Sequence, residues 1–520
     1  MSIVVFRNAA IHTGDDRRPT AQALAVRDGE LVSVGSEAEV RAATGPGAEL
    51  VDLDGAAVIP GFYDGHIHTA QYAHSLTTVD LSGTRSLAQA LERIAARAAG
   101  LPPGEWLLGG RWNSNVWEPP VQPDRHALDA VCPDNPVALT TVDVHTLWVN
   151  SAALRAAGIG ASTPDPVGGH IVRDDAGRPT GILRETATEP LRRFTAADDL
   201  GSLLRTAQER LLALGITSVH DIDGEDCRAA YLRMRAEGEL KLRVHKAIRL
   251  EHLETALAEG RRTGQGDDWF RTGPLKVFSD GALGSHTCHM SRPMRGGDHG
   301  IAIVPYDELL RLFRTAAGAG IAVATHAIGD QANHLVLDAY EELGPTPGLR
   351  HRIEHAQHLQ RRDVARLARL GVVASMQPVH CTSDIDLVDS LLAGHDLASY
   401  AWRDLLDAGA ALAFGSDAPV EDPDPFAALY AAVTRTRPDG SPVGGWQPEQ
   451  RITMAEAIRA HTVGAAYAAG EDGRKGLLVP GMLADFAVLD TDLYRESPEA
   501  VLRTRVLSTV VGGEVRWSAA

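Results

Sequence analysis

The sequence has few cysteines, no excess of basic residues and no long apolar run, and each absence excludes a class of protein. The four cysteines are widely spaced and form no C-x-x-C pair, so they predict reduced, buried side chains in a cytosolic protein rather than a disulfide framework. Acidic residues outnumber basic ones and the net charge is −18, which argues against a nucleic-acid partner. No stretch approaches the roughly 18 apolar residues of a membrane span, and no secretion signal opens the chain. We therefore expect a cytoplasmic protein that does not bind membranes.

The order of predicted helices and strands indicates a parallel α/β fold. From about residue 200 onward, helices and apolar strands alternate, which is the βα pattern of a parallel sheet. Eight strands fit a TIM-type (β/α)8 barrel, and they are predicted at residues 58–63, 216–220, 242–248, 275–278, 322–325, 352–354, 372–376 and 411–414. A further strand at 136–142 would be a ninth, so it is assigned to an insertion of about residues 70–200 over the barrel mouth.

The two ends of the chain are rich in short strands and turns. Neither end is large enough for a domain of its own, which suggests one small β-sandwich built from both termini. The predicted organisation is a composite sandwich of residues 1–57 and 474–520 around a barrel of residues 58–473.

An H-x-H pair follows the first predicted barrel strand. Side chains two residues apart on a strand point to the same side, so His66 and His68 can aim their imidazoles at one point. Neutral imidazole is a good ligand for zinc and similar metals. A bare H-x-H also occurs by chance on surface strands, and other residues must decide between the two readings.

Four more polar side chains lie in or just after separate barrel strands: Lys276, His326, His355 and Asp417. A histidine at a strand end is often only hydrogen-bonded, and an aspartate after Gly-Ser is often a turn residue. A lysine inside an apolar strand is harder to dismiss, because burying an unpaired ammonium is costly. Six such residues at the carboxyl ends of barrel strands together predict an active site.

The order H-x-H, Lys, His, His, Asp resembles that of the amidohydrolase superfamily. The surrounding residues resemble its YtcJ-like branch over nearly the whole chain, in segments 60–68, 276–285, 326–332, 352–357 and 414–420. The resemblance implies a hydrolase acting on carbon–nitrogen bonds other than peptide bonds, with a small-molecule substrate and two zinc ions per chain. His66, His68 and Asp417 would hold one metal, and His326 and His355 would hold the other. Lys276, carboxylated by carbon dioxide, would bridge the two.

The implied reaction is hydrolysis of an amide, N-formyl or carbamate-like bond. The two metals would share a water and generate hydroxide near neutral pH. Asp417 would be the catalytic residue that takes the proton of this water and delivers it to the leaving nitrogen. If Lys276 is unmodified, a one-metal site is the alternative.

Eight further residues lie in segments that resemble family motifs and are predicted to face the substrate, although each could instead make structural hydrogen bonds. They are Trp112, Asp143, His145, Glu185, His220, Asp280, Gln377 and His380.

Two other functions stay open at this point. A deaminase of an amino-heterocycle would use one metal and no bridging lysine, and a non-catalytic scaffold would lack metal ligands. Two-fold symmetric dimers are the commonest protein oligomers, so we expect a homodimer.

Overall fold

The protein was analysed as a computed structural model, which describes residues 3–141, 146–191 and 200–519. The chain divides into two compact units. One unit contains residues 1–69 and 204–520, and the other contains residues 70–203.

The first unit contains a sheet of eight parallel strands whose spatial order follows the chain order. Its strands are Phe62–Ile67 (β1), Ile216–Asp221 (β2), Arg243–Arg249 (β3), Phe270–Phe278 (β4), Val323–Ala327 (β5), Arg352–His355 (β6), Val373–Met376 (β7) and Leu412–Phe414 (β8). Nearly all of their residues are buried, as expected for strands covered on both faces, and this explains why they read as apolar runs in the sequence.

The two edge strands of this sheet, β1 and β8, come together through Asp64 and the loop after β8. The carboxylate of Asp64 accepts hydrogen bonds from the backbone N–H of Ser416 at 3.0 Å and from its hydroxyl at 2.6 Å. The N–H of Asp417 donates to the carbonyl of His66 at 2.7 Å. The eight strands therefore form a nearly closed barrel of the TIM type, as the βα pattern predicted.

The first predicted barrel strand, 58–63, is wrong in its first half. Residues Ala57–Pro60 form a separate strand that pairs antiparallel with Phe486–Leu489 outside the barrel, and β1 begins at Phe62. The break falls at Gly61, where an added Cβ would lie 2.3 Å from the side chain of Thr217. Only glycine permits this close approach, so one apolar run serves two sheets.

Strands from both ends of the chain form two further sheets. The four-stranded sheet contains Val4–Arg7, Ala23–Arg27, Glu30–Gly35 and Glu49–Asp52. The six-stranded sheet contains Ala10–His12, Thr20–Ala21, Ala57–Pro60, Phe486–Leu489, Val506–Val511 and Glu514–Ser518. Both sheets contribute to one buried cluster, in which Phe6 packs edge-on against Phe486. That they form a separate sandwich domain with the predicted boundaries stays a prediction.

The second unit has a six-stranded sheet of its own. Its strands are Val79–Asp80, Leu107–Trp112, Val137–Thr141, Thr146–Val149, Gly169–Arg173 and Pro179–Glu185. The extra strand predicted at 136–142 lies in this sheet and not in the barrel. Its position over the barrel mouth stays a prediction.

The helices bury one apolar face each, as Leu309, Phe313 and Ala316 do along one helix of the barrel unit. The α-helices are Glu37–Thr44, Thr69–Thr77, Leu87–Ala98, Arg125–Val131, Ser151–Ala157, Leu200–Ala213, Glu225–Ala236, Leu253–Ala258, Tyr306–Gly318, Asp330–Leu343, Val364–Leu370, Pro378–Ser383, Ile385–Leu391, Trp402–Asp407, Pro425–Thr434, Met454–Arg459, Ala465–Ala469 and Pro498–Val501. Within the described ranges, none of them is both long and apolar enough to cross a membrane.

Candidate metal centre

The six predicted metal ligands line one cavity in the barrel unit, with a volume of about 330 Å³. They come from five separate strands or the loops that follow them, and these are His66, His68, Lys276, His326, His355 and Asp417. Parallel strands bring their carboxyl ends to one edge of the sheet, which is why residues far apart in sequence meet here.

Asp417 lies among the imidazoles. Its Oδ1 is 3.3 Å from Nε2 of His66 and 3.5 Å from Nε2 of His68. One potential ligand atom from each of His66, His355 and Asp417 lies within 4.8 Å of the other two. The rings of His326 and His355 are 4.6 Å apart. The four imidazoles and the carboxylate thus form a compact set of donors.

In His66 and His68, the second ring nitrogen is bound by a carboxylate behind the cavity. Nδ1 of His66 is 2.6 Å from Glu354, and Nδ1 of His68 is 3.0 Å from Asp223. A carboxylate on one nitrogen fixes the tautomer and the orientation of the ring, so that the other nitrogen can ligate a metal. Both histidines therefore have the surroundings typical of metal ligands.

His355 is oriented by a neutral acceptor, and His326 by a backbone carbonyl with Oδ1 of Asp280 3.5 Å from the same ring nitrogen. Nδ1 of His355 is 2.8 Å from Oε1 of Gln377, and Nε2 of His326 is 3.1 Å from the carbonyl of Gly281. Burial and the Lys276 ammonium lower the pKa of His326 to about 3. Burial and the neighbouring His326 ring hold the pKa of His355 well below its usual range. Both rings are therefore neutral, which is the form that binds metals.

The carboxylate of Asp417 is ionised. Burial alone would raise its pKa, but His66, His355 and His380 hold the pKa of Asp417 well below its usual range. Its backbone has φ +59°, and that of His355 has φ +75°. Non-glycine residues adopt such angles at a cost in free energy, and these costs concentrate at functional sites.

Lys276 is buried to about 1% exposure at the centre of this set. Its Nζ has no hydrogen-bond partner among the described residues, and burial lowers the pKa of Lys276 to about 8. An unpartnered buried amine is unfavourable as it stands. A carbamate on Nζ would replace the ammonium with two oxygens, and a pair of metal cations would balance its charge. The donor set therefore fits divalent metals.

A second acidic cluster does not fit a metal in the same way. Asp221, Asp223 and Cys227 also bring potential ligand atoms within 4.8 Å. However, Nζ of Lys246 lies 2.9 Å from Asp221 and already neutralises it, and burial keeps the pKa of the Cys227 thiol well above its usual range. This cluster instead supports Asp223, which orients His68.

Residues 49–516 match the amidohydrolase family. The chain belongs to that family. The match covers the whole barrel and most of the C-terminal segment, so the resemblance read from the ligand order is confirmed.

Curated relatives of this amidohydrolase align along nearly its full length. Protein LONG AFTER FAR-RED 3 of Arabidopsis thaliana is 33% identical, covering 98% of this chain and 91% of the relative. YtcJ of Bacillus subtilis is 31% identical over 98% of both chains. The N-substituted formamide deformylase of Arthrobacter pascens is 31% identical, covering 99% of this chain and 98% of the relative.

A solved structure has the same fold. It is an uncharacterized metal-dependent hydrolase from Pyrococcus furiosus, with a TM-score of 0.77 and 28% identity, covering 95% of this chain and 100% of the other.

The eight substrate-facing predictions divide by their place in this amidohydrolase. His380 lines the cavity, and its Nε2 is 3.8 Å from Oδ2 of Asp417. Gln377 lies behind the cavity and orients His355. His220 is fully buried against Arg352, to which its Nδ1 is hydrogen-bonded. Of the three, only His380 is placed to touch a substrate.

Asp280 is not among the described residues that line the cavity. It is fully buried, and its oxygens accept hydrogen bonds from the backbone N–H groups of Ile328, Gly329 and His289 at 2.8–3.0 Å. Burial raises its pKa to about 7. Asp280 therefore shapes the loop after β5, and its contact with a substrate stays a prediction.

The remaining predictions lie in the second unit. Trp112 is 2% exposed and donates its indole N–H to the carbonyl of Leu139, as part of a core with Trp117 and Trp148. It is therefore a core residue of its own unit. Glu185 is exposed at the end of its strand, with φ +51°. Asp143 and His145 lie outside the described residues.

Three polar residues that line the cavity were not predicted from the sequence: Gln357, Asp384 and Glu421. Gln357 follows His355 by two residues, and the two acids each follow a predicted site residue by four. This spacing of two or four residues from a predicted site residue is the sequence signal that could have indicated them. Glu354 and Asp223 were not predicted either, because their role depends on contacts between strands that are distant in sequence.

Proposed function

We propose that this amidohydrolase is a zinc-dependent enzyme that hydrolyses a C–N bond in an amide, an N-formyl amine or a carbamate-like compound. The observation that carries the proposal is Lys276, a buried amine that has no hydrogen-bond partner among the described residues and lies among four imidazoles and an ionised carboxylate. A single-metal deaminase or a scaffold gives no reason for an amine at this point. The similarity to a formamide deformylase supports the same bond class.

In this proposal the ligands form two groups. His66, His68 and Asp417 would hold one zinc ion, and His326 and His355 would hold the second. A carbamate on Lys276 would supply two further oxygen donors. Bound zinc would lower the pKa of water and polarise the substrate carbonyl.

Asp417 moves the proton in the proposed reaction. Since its carboxylate is ionised, it can accept a proton from the water that adds to the carbonyl carbon. Its Oδ2, on the side of His380, then returns this proton to the nitrogen as the C–N bond breaks. The products are a carboxylic acid and a free amine, and no covalent intermediate with the protein is needed.

The test combines metal analysis with an amine-release assay on the zinc-loaded protein. We expect two zinc ions per chain, and release of a primary amine from at least one member of a panel of N-formyl and N-acyl amines. One zinc ion together with ammonia release from an amino-heterocycle would establish a deaminase instead. A protein that binds no metal would support a scaffold.

A further inference from the structure

The cavity that holds the predicted metal ligands is also lined by two carboxylates, Asp384 and Glu421. Apolar side chains line it too, including Phe278, Leu283 and Ile328. Among the described residues that line the cavity, Lys276 is the only lysine or arginine. Apart from the predicted metal ligands, the described lining of the cavity is therefore mostly apolar, with two acids and no lysine or arginine.

Neither carboxylate has a cationic partner within the described parts of the chain. The hydroxyl of Tyr400 donates to Asp384 at 2.6 Å, and the hydroxyl of Ser383 donates to Glu421 at 2.6 Å. Both donors are neutral. Buried acids elsewhere in this protein either pair with a lysine or an arginine, as Asp221 and Asp485 do, or accept several hydrogen bonds, as Asp280 does from three backbone N–H groups. Two acids left without a cation on a cavity wall favour a ligand that supplies one.

His380 lines the same cavity as these two acids and lies next to Asp417. It is 8% exposed, and its Nε2 is buried without a hydrogen-bond partner. Nδ1 of the same ring is 3.5 Å from Nε2 of Gln357. Nε2 is thus left to face the cavity beside Asp417, which gives a ligand a polar group to bind near the metal donors.

The distance between His380 and Asp384 follows from the helix on which they lie. Asp384 follows His380 by four residues, at the end of helix Pro378–Ser383, and its N–H donates to the carbonyl of His380 at 2.9 Å. Residues i and i+4 lie on the same side of a helix, about 6 Å apart along its axis. A ligand that touches both residues therefore spans roughly one helical turn.

We propose that the substrate is an amide carrying a second, positively charged nitrogen about one helical turn from the scissile bond. This inference rests on the proposed function. The scissile amide lies beside Asp417 and His380, a short linker follows, and the charged nitrogen binds Asp384 and Glu421.

The test compares two compounds of equal size. N-formyl-1,4-diaminobutane carries a terminal ammonium, and N-formylpentylamine carries a methyl group in its place. We expect kcat/KM of the zinc-loaded enzyme to be about 10-fold or more higher for the cation, since a hydrogen bond to a charged group contributes on that scale. Glu421→Gln should remove most of this preference, because kcat/KM for the cation should fall about 10-fold more than kcat/KM for the neutral compound.

The matched control is Asp386→Asn. Asp386 is an exposed acid close to Asp384 in sequence, but it is paired with Arg437 at 2.8 Å and does not line the cavity. Its loss removes the same charge, and the preference for the cation should persist. Equal preferences in wild type and Glu421→Gln would overturn the inference.

The two proposals fail in different ways. If the neutral compound is hydrolysed as well as the cation, the reaction is supported and the charge preference is refuted. If neither compound is hydrolysed, the two compounds do not support the reaction. Calorimetry on the zinc-loaded protein then measures whether the cavity binds the cation more tightly than the neutral compound. Equal dissociation constants for the two compounds would then refute the preference. Tighter binding of the cation that is lost in Glu421→Gln would support it.

Discussion

Two lysines buried in the same barrel have opposite surroundings. Nζ of Lys246 lies 2.9 Å from Asp221. Burial alone would lower the pKa of Lys246, but the carboxylate of Asp221 raises it. Nζ of Lys276 lies 4.8 Å from the centre of the Phe278 ring but has no hydrogen-bond partner among the described residues, and burial lowers its pKa to about 8. Lys246 is therefore part of a neutralised pair that stabilises the fold. Lys276 is kept at a cost in free energy, which indicates a functional role.

This contrast predicts opposite effects of the same substitution on stability. Lys276→Met removes a buried donor that has no acceptor, so the metal-free variant should be more stable than wild type by about 1–3 kcal/mol. Lys246→Met leaves Asp221 buried and unpaired, and should destabilise by about 3–5 kcal/mol. Urea unfolding of the metal-free proteins measures both changes. A large loss of stability in Lys276→Met would mean that Lys276 has a structural partner.

The pKa of Lys276 also predicts a pH dependence. Its ordinary value is 10.5 and burial lowers it to about 8, so between these pH values the unfolded chain holds a proton that the folded protein has released. The free energy of unfolding of the metal-free protein should therefore rise with pH from about 8 to 10.5, by about 3 kcal/mol in all. The measurement is urea unfolding at several pH values in bicarbonate-free buffer. Lys276→Met is the control and should lack this rise, so parallel curves for the two proteins would refute the assignment.

At the scale of single elements, β6 shows how a short strand serves the site. Side chains two residues apart on a strand share a side, and Arg352 and Glu354 are both fully buried next to each other, with 2.5 Å between Nε and Oε1. Glu354 then holds Nδ1 of His66 at 2.6 Å. One strand of four residues thus supplies a predicted ligand, His355, and orients another.

Removing the charge of Glu354 should weaken metal binding. In Glu354→Gln the ring of His66 loses the carboxylate that orients it and raises its basicity, and we expect the zinc dissociation constant to rise about 10–100-fold. Competition with a chelator measures this change. The control is Glu471→Gln, another buried acid of the barrel unit, which binds Tyr63 and Lys475 but no imidazole ligand. Equal losses of affinity in both variants would show that general loosening of the barrel is the cause.

The sequence predicts some barrel strands and site residues better than others. Apolar runs and the βα alternation place the barrel strands to within a few residues, because strands buried on both faces leave a clear pattern. The run 58–63 misleads, since the pattern does not show that Gly61 divides it between two sheets. Lys276 stands out within an apolar strand. Glu354 does not, because its role depends on a contact with His66, 288 residues away.

At the scale of the whole molecule, the site depends on the closure of the barrel. His66 belongs to β1, Asp417 follows β8, and the two meet where the first and last strands are joined by Asp64 and Ser416. The order of ligands in the sequence indicates a closed barrel only by resemblance to a family. The contact that closes it involves an ordinary Gly-Ser-Asp turn, which taken alone has no special signal.

Gly415 is the residue at which this closure can be tested. A Cβ added there would lie 2.4 Å from the backbone nitrogen of His66 and 2.8 Å from Oδ1 of Asp64. Gly415→Ala must therefore push β1 away from the loop after β8, and should cost about 1–3 kcal/mol of stability. Because the same shift separates His66 from Asp417, it should also reduce the zinc content. Gly318→Ala is the matched control, since a Cβ there meets nothing within 4 Å at the end of a helix. We expect it to leave zinc binding intact and to change stability by less than about 1 kcal/mol. A Gly415→Ala variant with full zinc content would show that the ligands hold their positions without the tight joint between the first and last strands.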